Sequence, residues 1–231
     1  MRRFHNKIKQ YYIDKYITKP SNVLDLASGK GGDLHKWKRN KNVKYVQGYD
    51  NDQESINEAR KRLNKIKINT PIFFNKKDLN KEILQKHKKN FDIITSFFAF
   101  HYFFNNKKTI SIITKSIDNN SSTGTILILT LFDGDKIKNI DNVENDLFSL
   151  KLNKTNKKVK VYIKDSVLNE PRVENIVSPE TLKNTLDKIK FKLIEQVPFK
   201  QLYITLLQDD GLTETEKKLS FLNNVYIFQK Y

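Results

Sequence analysis

The stretch from Val23 to Asp33, reading VLDLASGKGGD, constrains the fold more than any other part of the chain. β-Favouring apolar residues run straight into a glycine-rich turn, and an amphipathic segment carrying Leu34 and Trp37 follows. Strand, tight loop and helix in that order build the place where an open α/β sheet lets a ligand meet bare backbone amides. Val43 to Tyr49 reads as a second strand, and it ends on Asp50. An acid about 20 residues past such a loop is placed to accept hydrogen bonds from ribose hydroxyls. Loop and acid together predict a site for an adenosine-bearing cofactor. Their spacing does not separate a nicotinamide from a sulfonium cofactor, and the missing GxxxxGK[ST] pattern argues against a phosphate-loop NTPase.

The same alternation runs through the chain. Phe4, Ile8, Tyr12 and Tyr16 recur every four residues and predict an amphipathic helix over 4–18, stopped before Pro20. Strands are expected at 22–26, 43–49, 71–75, 91–96 and 125–131, with helices at 32–39, 52–65, 79–87 and 107–118 between them. This order predicts an α/β fold with a mostly parallel, doubly wound sheet. The polar, lysine-rich segment 133–170 reads as an excursion from that sheet, a hairpin and lid. A strand at 173–177, a helix at 179–189 and strands at 191–198 and 224–229 are expected to complete it. With 231 residues and no linker-like stretch, a single domain over 1–231 is expected. Its parts are the helix 4–18, a cofactor half 20–131, and an excursion and C-terminal half 132–231.

Composition narrows the chemistry. The chain has no cysteine, which excludes disulfides, thiolate catalysis and cysteine zinc sites. The four histidines (His5, His35, His87, His101) lack metal-ligand spacing, so no metal is expected. No apolar run approaches the roughly 20 residues of a membrane span, and Met1-Arg2-Arg3-Phe4 opens no signal core. A formal charge of +17 suits a polyanion such as nucleic acid, although abundant Lys, Asn and Ile also fit an A/T-rich genome.

Two features fall at the carboxyl ends of strands, where such sheets bind ligands. Asp78 follows the third strand, as a ligand contact or as a helix N-cap before Leu79. Phe97 to Phe104 (FFAFHYFF) follows the fourth, either as core or as aromatics that stack a nucleobase beside the polar groups of His101 and Tyr102.

Taken together, LDLASGKGGDLHKW, the acid in GYDND and the FAFHYFF block closely resemble the messenger-RNA cap guanine-N7 methyltransferases. Arg2 to Lys9 looks like that family's RNxNNxxK helix, and Thr130 to Ile137 (TLFDGDKI) most resembles capping enzymes of large cytoplasmic DNA viruses. The resemblance covers nearly the whole chain. It implies a Rossmann-like class I fold dependent on S-adenosylmethionine (AdoMet), with segment 132–231 forming the cap-binding part. By position, Lys9 is implied to pair with the AdoMet carboxylate, Ala27 and Gly29 to lie under the cofactor, and Asp50 to hold the ribose. Asp78 is implied to meet the adenine edge, Phe97 to stand where the family has a cofactor-contacting Gln, and Tyr102 to lie between the two ligands. On the guanine side the implied residues are His5, Asn6, Phe98, His101, Tyr102, Glu174 and Asn223. Departures from the family pattern are Ala27 for the first glycine of GCG, His5 for Asn, Phe97 for Gln and Asn223 for a tyrosine.

Guanine N7 carries a lone pair and no proton, so the implied reaction requires no general base. No catalytic residue is expected, only positioning by Tyr102 and Glu174. The implied partners are capped RNA and the other domains or subunits of a capping enzyme, with no membrane, in the cytoplasm of a host cell or in a virion. Rival readings are a methyltransferase for another RNA or small-molecule acceptor, and a non-catalytic RNA-binding subunit. A nicotinamide oxidoreductase is disfavoured because no hydride-transfer dyad is visible.

Overall fold

A computed structural model describes residues 1–164, 170–206 and 211–231, so 165–169 of the expected excursion lie outside the described residues. The chain begins with α1 (Arg2–Tyr16), β1 (Ser21–Leu26), α2 (Leu34–Arg39), β2 (Val43–Asp50), α3 (Gln53–Asn64) and β3 (Ile72–Lys76). It continues through β4 (Ile93–Phe97), a 3₁₀ turn (Phe100–Phe104), α4 (Lys107–Asn119) and β5 (Ile126–Phe132). After α5 (Gly134–Ile137) come β6 (Val143–Glu144), β7 (Phe148–Asn153), β8 (Lys158–Ile163) and β9 (Arg172–Asn175). The last elements are α6 (Pro179–Asp187), β10 (Phe191–Pro198), α7 (Phe199–Leu206), α8 (Glu214–Ser220) and β11 (Asn223–Lys230).

Seven strands form the main sheet in the order β10-β11-β5-β4-β1-β2-β3. Strands β1 to β5 run parallel, and β11 pairs antiparallel with both β5 and β10. The order reverses between β1 and β4, which makes their carboxyl ends the switch point of the sheet. Strand β1 is apolar on both faces because both are covered. Val23 packs with Phe4, Ile8, Trp37 and Ile56 on the face under α1 to α3, while Leu24 and Leu26 pack with Ile113, Ile117 and Leu182 on the face under α4 and α6. Phe4, Ile8 and Tyr12 of the α1 stripe are buried. Each fully buried apolar side chain contributes about 1.5–3 kcal/mol, which fastens α1 over the sheet.

Three expectations change. Segment 79–87 is no helix. Its backbone is held instead by the end of α4: Ser116 Oγ accepts from the Leu84 amide at 2.9 Å, Asn120 Oδ1 accepts from the His87 amide at 2.9 Å, and Asn119 Nδ2 donates to the Leu84 carbonyl at 3.0 Å. Side chains thus satisfy the groups that helical bonds would have used. The strand expected at 173–177 is Arg172–Asn175 and belongs to a separate antiparallel sheet ordered β6-β7-β8-β9. That sheet has its own core of Phe148, Leu150, Val159 and Val161 with Ile137 and Leu219, so the excursion is a packed layer. Helices α7 and α8 were not foreseen; α8 begins with a capping box in which Thr213 and Glu216 bond each other's amides.

Candidate cofactor and base site

Four strand ends converge at the switch point. The loop after β1 turns on Ala27, Gly29 and Gly31, all left-handed with φ of 57°, 53° and 68°. A glycine adopts that backbone freely, whereas an alanine pays about 1–2 kcal/mol. Phe98, just beyond β4, is also left-handed at φ 57°, and its amide donates to the Thr130 carbonyl at 2.7 Å. Two strained residues on adjacent strand ends mark this edge as a place where conformation is held against local preference.

Asp50, ending β2, is bound to the loop: its Oδ2 accepts from the Gly29 amide at 2.8 Å and its Oδ1 from the Asp52 amide at 3.0 Å. Each carboxylate oxygen keeps a lone pair for a further donor, as ribose recognition requires. No atom lies within 4 Å of a Cβ built on Gly29 or Gly32, so the loop presents open backbone. Ser28 Oγ beside it is buried without a hydrogen-bond partner among the described residues. Uncrowded glycine backbone, a carboxylate with spare lone pairs and an orphaned hydroxyl fit an adenosyl cofactor laid across the loop. Asp78 is no helix N-cap; it closes a turn by accepting from the Asn80 amide at 3.0 Å and pairs with Lys81 at 3.3 Å.

Beneath the loop lies a charge cluster that sequence reading missed. Asp33 accepts from Lys9 Nζ at 3.0 and 3.1 Å and pairs with Lys36 at 2.8 Å. Burial pushes the Asp33 carboxyl up, but the two ammonium groups outweigh it and hold it below the usual carboxylate range. Asp25, buried in β1, is pushed up to about 7 by burial and by the charge of Asp33, against a 2.8 Å hydrogen bond from Thr95. Lys9 Nζ also stands 5.2 Å from the Phe97 ring centre and 5.8 Å from that of Phe98, so it faces the aromatic wall as well as Asp33. Lys36 Nζ donates to Asn6 Oδ1 at 2.7 Å. The motif GKGGD contained Asp33, but nothing in its spacing showed that two lysines would close on it.

The His5 ring stacks on Phe98 with centres 4.9 Å apart, and its Nε2 lies 2.8 Å from Ser220 Oγ. Burial and then the Lys9 charge pull its pKa down to about 3, so it is neutral. Phe97 is buried at the end of β4. Across the site, β9 is tied to the 3₁₀ turn by Asn175 Nδ2, which donates to the His101 carbonyl at 3.0 Å. That link sets Glu174 against His101 and Tyr102. Glu174 Oε2 comes within 3.2 Å of His101 Nε2 without hydrogen-bond alignment, and both ring nitrogens of His101 are buried without a partner among the described residues. Burial alone lowers His101 to about 3. Burial raises Glu174 to about 8, opposed by a hydrogen bond from the Tyr102 hydroxyl. Tyr102 is raised in turn by burial and by the Glu174 charge. The result is a recessed neutral carboxyl, an unsatisfied imidazole and a phenol on one wall.

Asn223 does not join that wall. It is buried at the start of β11, and its amide donates to the Leu219 and Ser220 carbonyls at 3.4 and 3.2 Å, so it closes the end of α8. Among the described residues no cluster of acids and histidines could hold a metal ion, and no helix is long and apolar enough to cross a membrane.

The strand order and the switch-point loop define a class I AdoMet-dependent methyltransferase fold. An AdoMet-dependent methyltransferase from Clostridium acetobutylicum superposes with a TM-score of 0.67 over 99% of this chain and 91% of that one, at 15% identity. Residues 1–226 match the family model of the mRNA (guanine-N(7))-methyltransferase domain, and the chain belongs to that family. It is 25% identical to the mRNA cap guanine-N(7) methyltransferase of Schizosaccharomyces pombe, over 93% of this chain and 65% of that protein. It is 27% identical to a probable mRNA-capping enzyme of Acanthamoeba polyphaga mimivirus, over 98% of this chain and 24% of that polypeptide. The chain therefore spans less than two thirds of either relative.

Proposed function

We propose that this chain moves a methyl group from AdoMet to N7 of the guanine cap of GpppN-RNA. The observation that carries the reading is Glu174, a recessed acid held against His101 and Tyr102 of the 3₁₀ turn that follows β4. A carboxylate there accepts from guanine N1–H and the exocyclic amine, which only guanine among the bases offers side by side.

When bound, AdoMet supplies an electrophilic methyl on sulfur. The chain positions and does not transfer protons, since N7 has none to lose. Asp50 holds the ribose, Asp78 faces the adenine edge, and Ala27 and Gly29 give the cofactor open backbone. Lys9 answers its carboxylate while keeping Asp33. Asn6, His5 and Phe98 border the base, Phe97 and Tyr102 pack the transfer zone, and Glu174 fixes the base so that N7 points at the methyl. The basic surface supports RNA binding. The viral-type TLFDGDKI segment and the small share of the mimivirus polypeptide support a capping enzyme with further domains or subunits, acting in the cytoplasm of an infected cell.

The test is incubation with GpppA-capped RNA and methyl-labelled AdoMet, then nuclease digestion. Labelled m7GpppA is expected. Label elsewhere in the RNA, or none while AdoMet binds by calorimetry, would overturn the reading.

A further inference from the structure

A groove of about 640 Å³ runs between α1 and α2, and of the residues assigned to cofactor and guanine it is lined by Asn6 alone. Its floor touches the proposed site, because Asn6, Gly32 and Lys36 line it. Lys36 leads through Asp33 to Lys9, which faces Phe97 and Phe98. Asn6, assigned to the guanine side, thus borders the groove as well.

The groove walls are built for a polyanion. On α1, Arg3, Lys7 and Tyr11 recur every four residues and share one stripe, beside the buried stripe of Phe4, Ile8 and Tyr12. Arg2 extends the α1 wall and Arg39 of α2 faces it across the groove; Arg2, Arg3 and Arg39 are exposed. Asp14 is the lone carboxylate of the lining, at the far end, and it already accepts hydrogen bonds from Gln10 and Asn40. Tyr11 is 39% exposed, large for an aromatic on an amphipathic helix, and offers a face on which a base can stack.

We infer that the α1–α2 groove holds the first transcribed nucleotides of the RNA, with Arg2, Arg3, Lys7 and Arg39 on its phosphates and Tyr11 under a base. This rests on the proposed reaction and adds the path of the RNA body, which the guanine pocket does not determine. The sign of the charge favours RNA over a protein partner, and the spacing of cations with one aromatic matches single-stranded nucleic acid.

The test compares two substrates, the dinucleotide GpppA and a capped 15-nucleotide RNA, in wild type and in the variants Arg39→Glu and Tyr11→Ala. Neither residue belongs to the site assigned to cofactor and guanine. For wild type a KM at least tenfold lower for the long RNA is expected. Each variant should raise the KM for long RNA about five- to tenfold and leave that for GpppA unchanged. Fluorescence anisotropy with the same RNA, read without turnover, should show Arg39→Glu lowering the slope of log affinity against log salt by about 1. Equal wild-type KM values for both substrates, or variants that leave RNA affinity unchanged, would overturn the inference. Absent methylation with normal, variant-sensitive anisotropy would refute the proposed reaction and leave the groove standing.

Discussion

Replacing Glu174 with glutamine should make the protein more stable and nearly inactive. Glutamine matches the protonated acid in shape, and burial keeps wild-type Glu174 protonated up to about pH 8, against 4.5 for a free glutamate. Folding at neutral pH therefore forces a proton onto a group that is ionised in the unfolded chain. The raised pKa favours the folded state below about pH 4.5, and that advantage is lost as pH climbs toward 8. Relative to a neutral isostere, wild type is destabilised by about 1 kcal/mol at pH 5 and about 3 kcal/mol at pH 7. Catalysis runs the other way, because guanine needs the ionised form. Roughly a tenth of Glu174 is ionised at pH 7 and about three quarters at pH 8.5, so wild-type kcat/KM should rise about eightfold over that range. Glutamine loses one charge-assisted hydrogen bond and sets its NH2 against a guanine donor, together about 3 kcal/mol, or ~150-fold at pH 8.5. At pH 7 the gap narrows to ~20-fold. Urea unfolding at pH 5 and 7, with GpppA methylation at pH 7 and 8.5, measures all four quantities. A variant no more stable than wild type at pH 7, or one whose rate follows wild type at both pH values, would refute the reasoning.

Other predictions follow from the same edge of the sheet. Ala27→Gly removes a left-handed alanine worth about 1–2 kcal/mol, partly offset by a looser unfolded chain. The melting temperature should rise about 1–4 °C with AdoMet affinity intact; a fall would show that the methyl group packs favourably. Asp33→Asn leaves the Lys9 and Lys36 ammonium groups buried side by side, and a loss of about 3–5 kcal/mol is expected in urea unfolding. Part of that loss should return at high pH, because burial already lowers the Lys36 pKa; a loss under about 1 kcal/mol would show that the cluster is dispensable.

The chain by itself determined much of this protein. Apolar alternation and the glycine turn are local consequences of backbone geometry, so β1, the loop, β2 and Asp50 were legible within a residue or two. The α1 stripe was legible for the same reason. Tertiary structure decided the rest. Segment 79–87 has helical periodicity, yet Ser116, Asn119 and Asn120 claim its backbone and keep it out of a helix. Glu174 on its own reads as an ordinary exposed strand residue; only the pairing of β9 with β8 and the Asn175 bond to the His101 carbonyl bury it beside Tyr102. Lys9 and Asp33 lie 24 positions apart and meet only because α1 folds back over the loop. Periodicity is written in each residue and its near neighbours, whereas burial, and the protonation it sets, depends on what distant segments place on top.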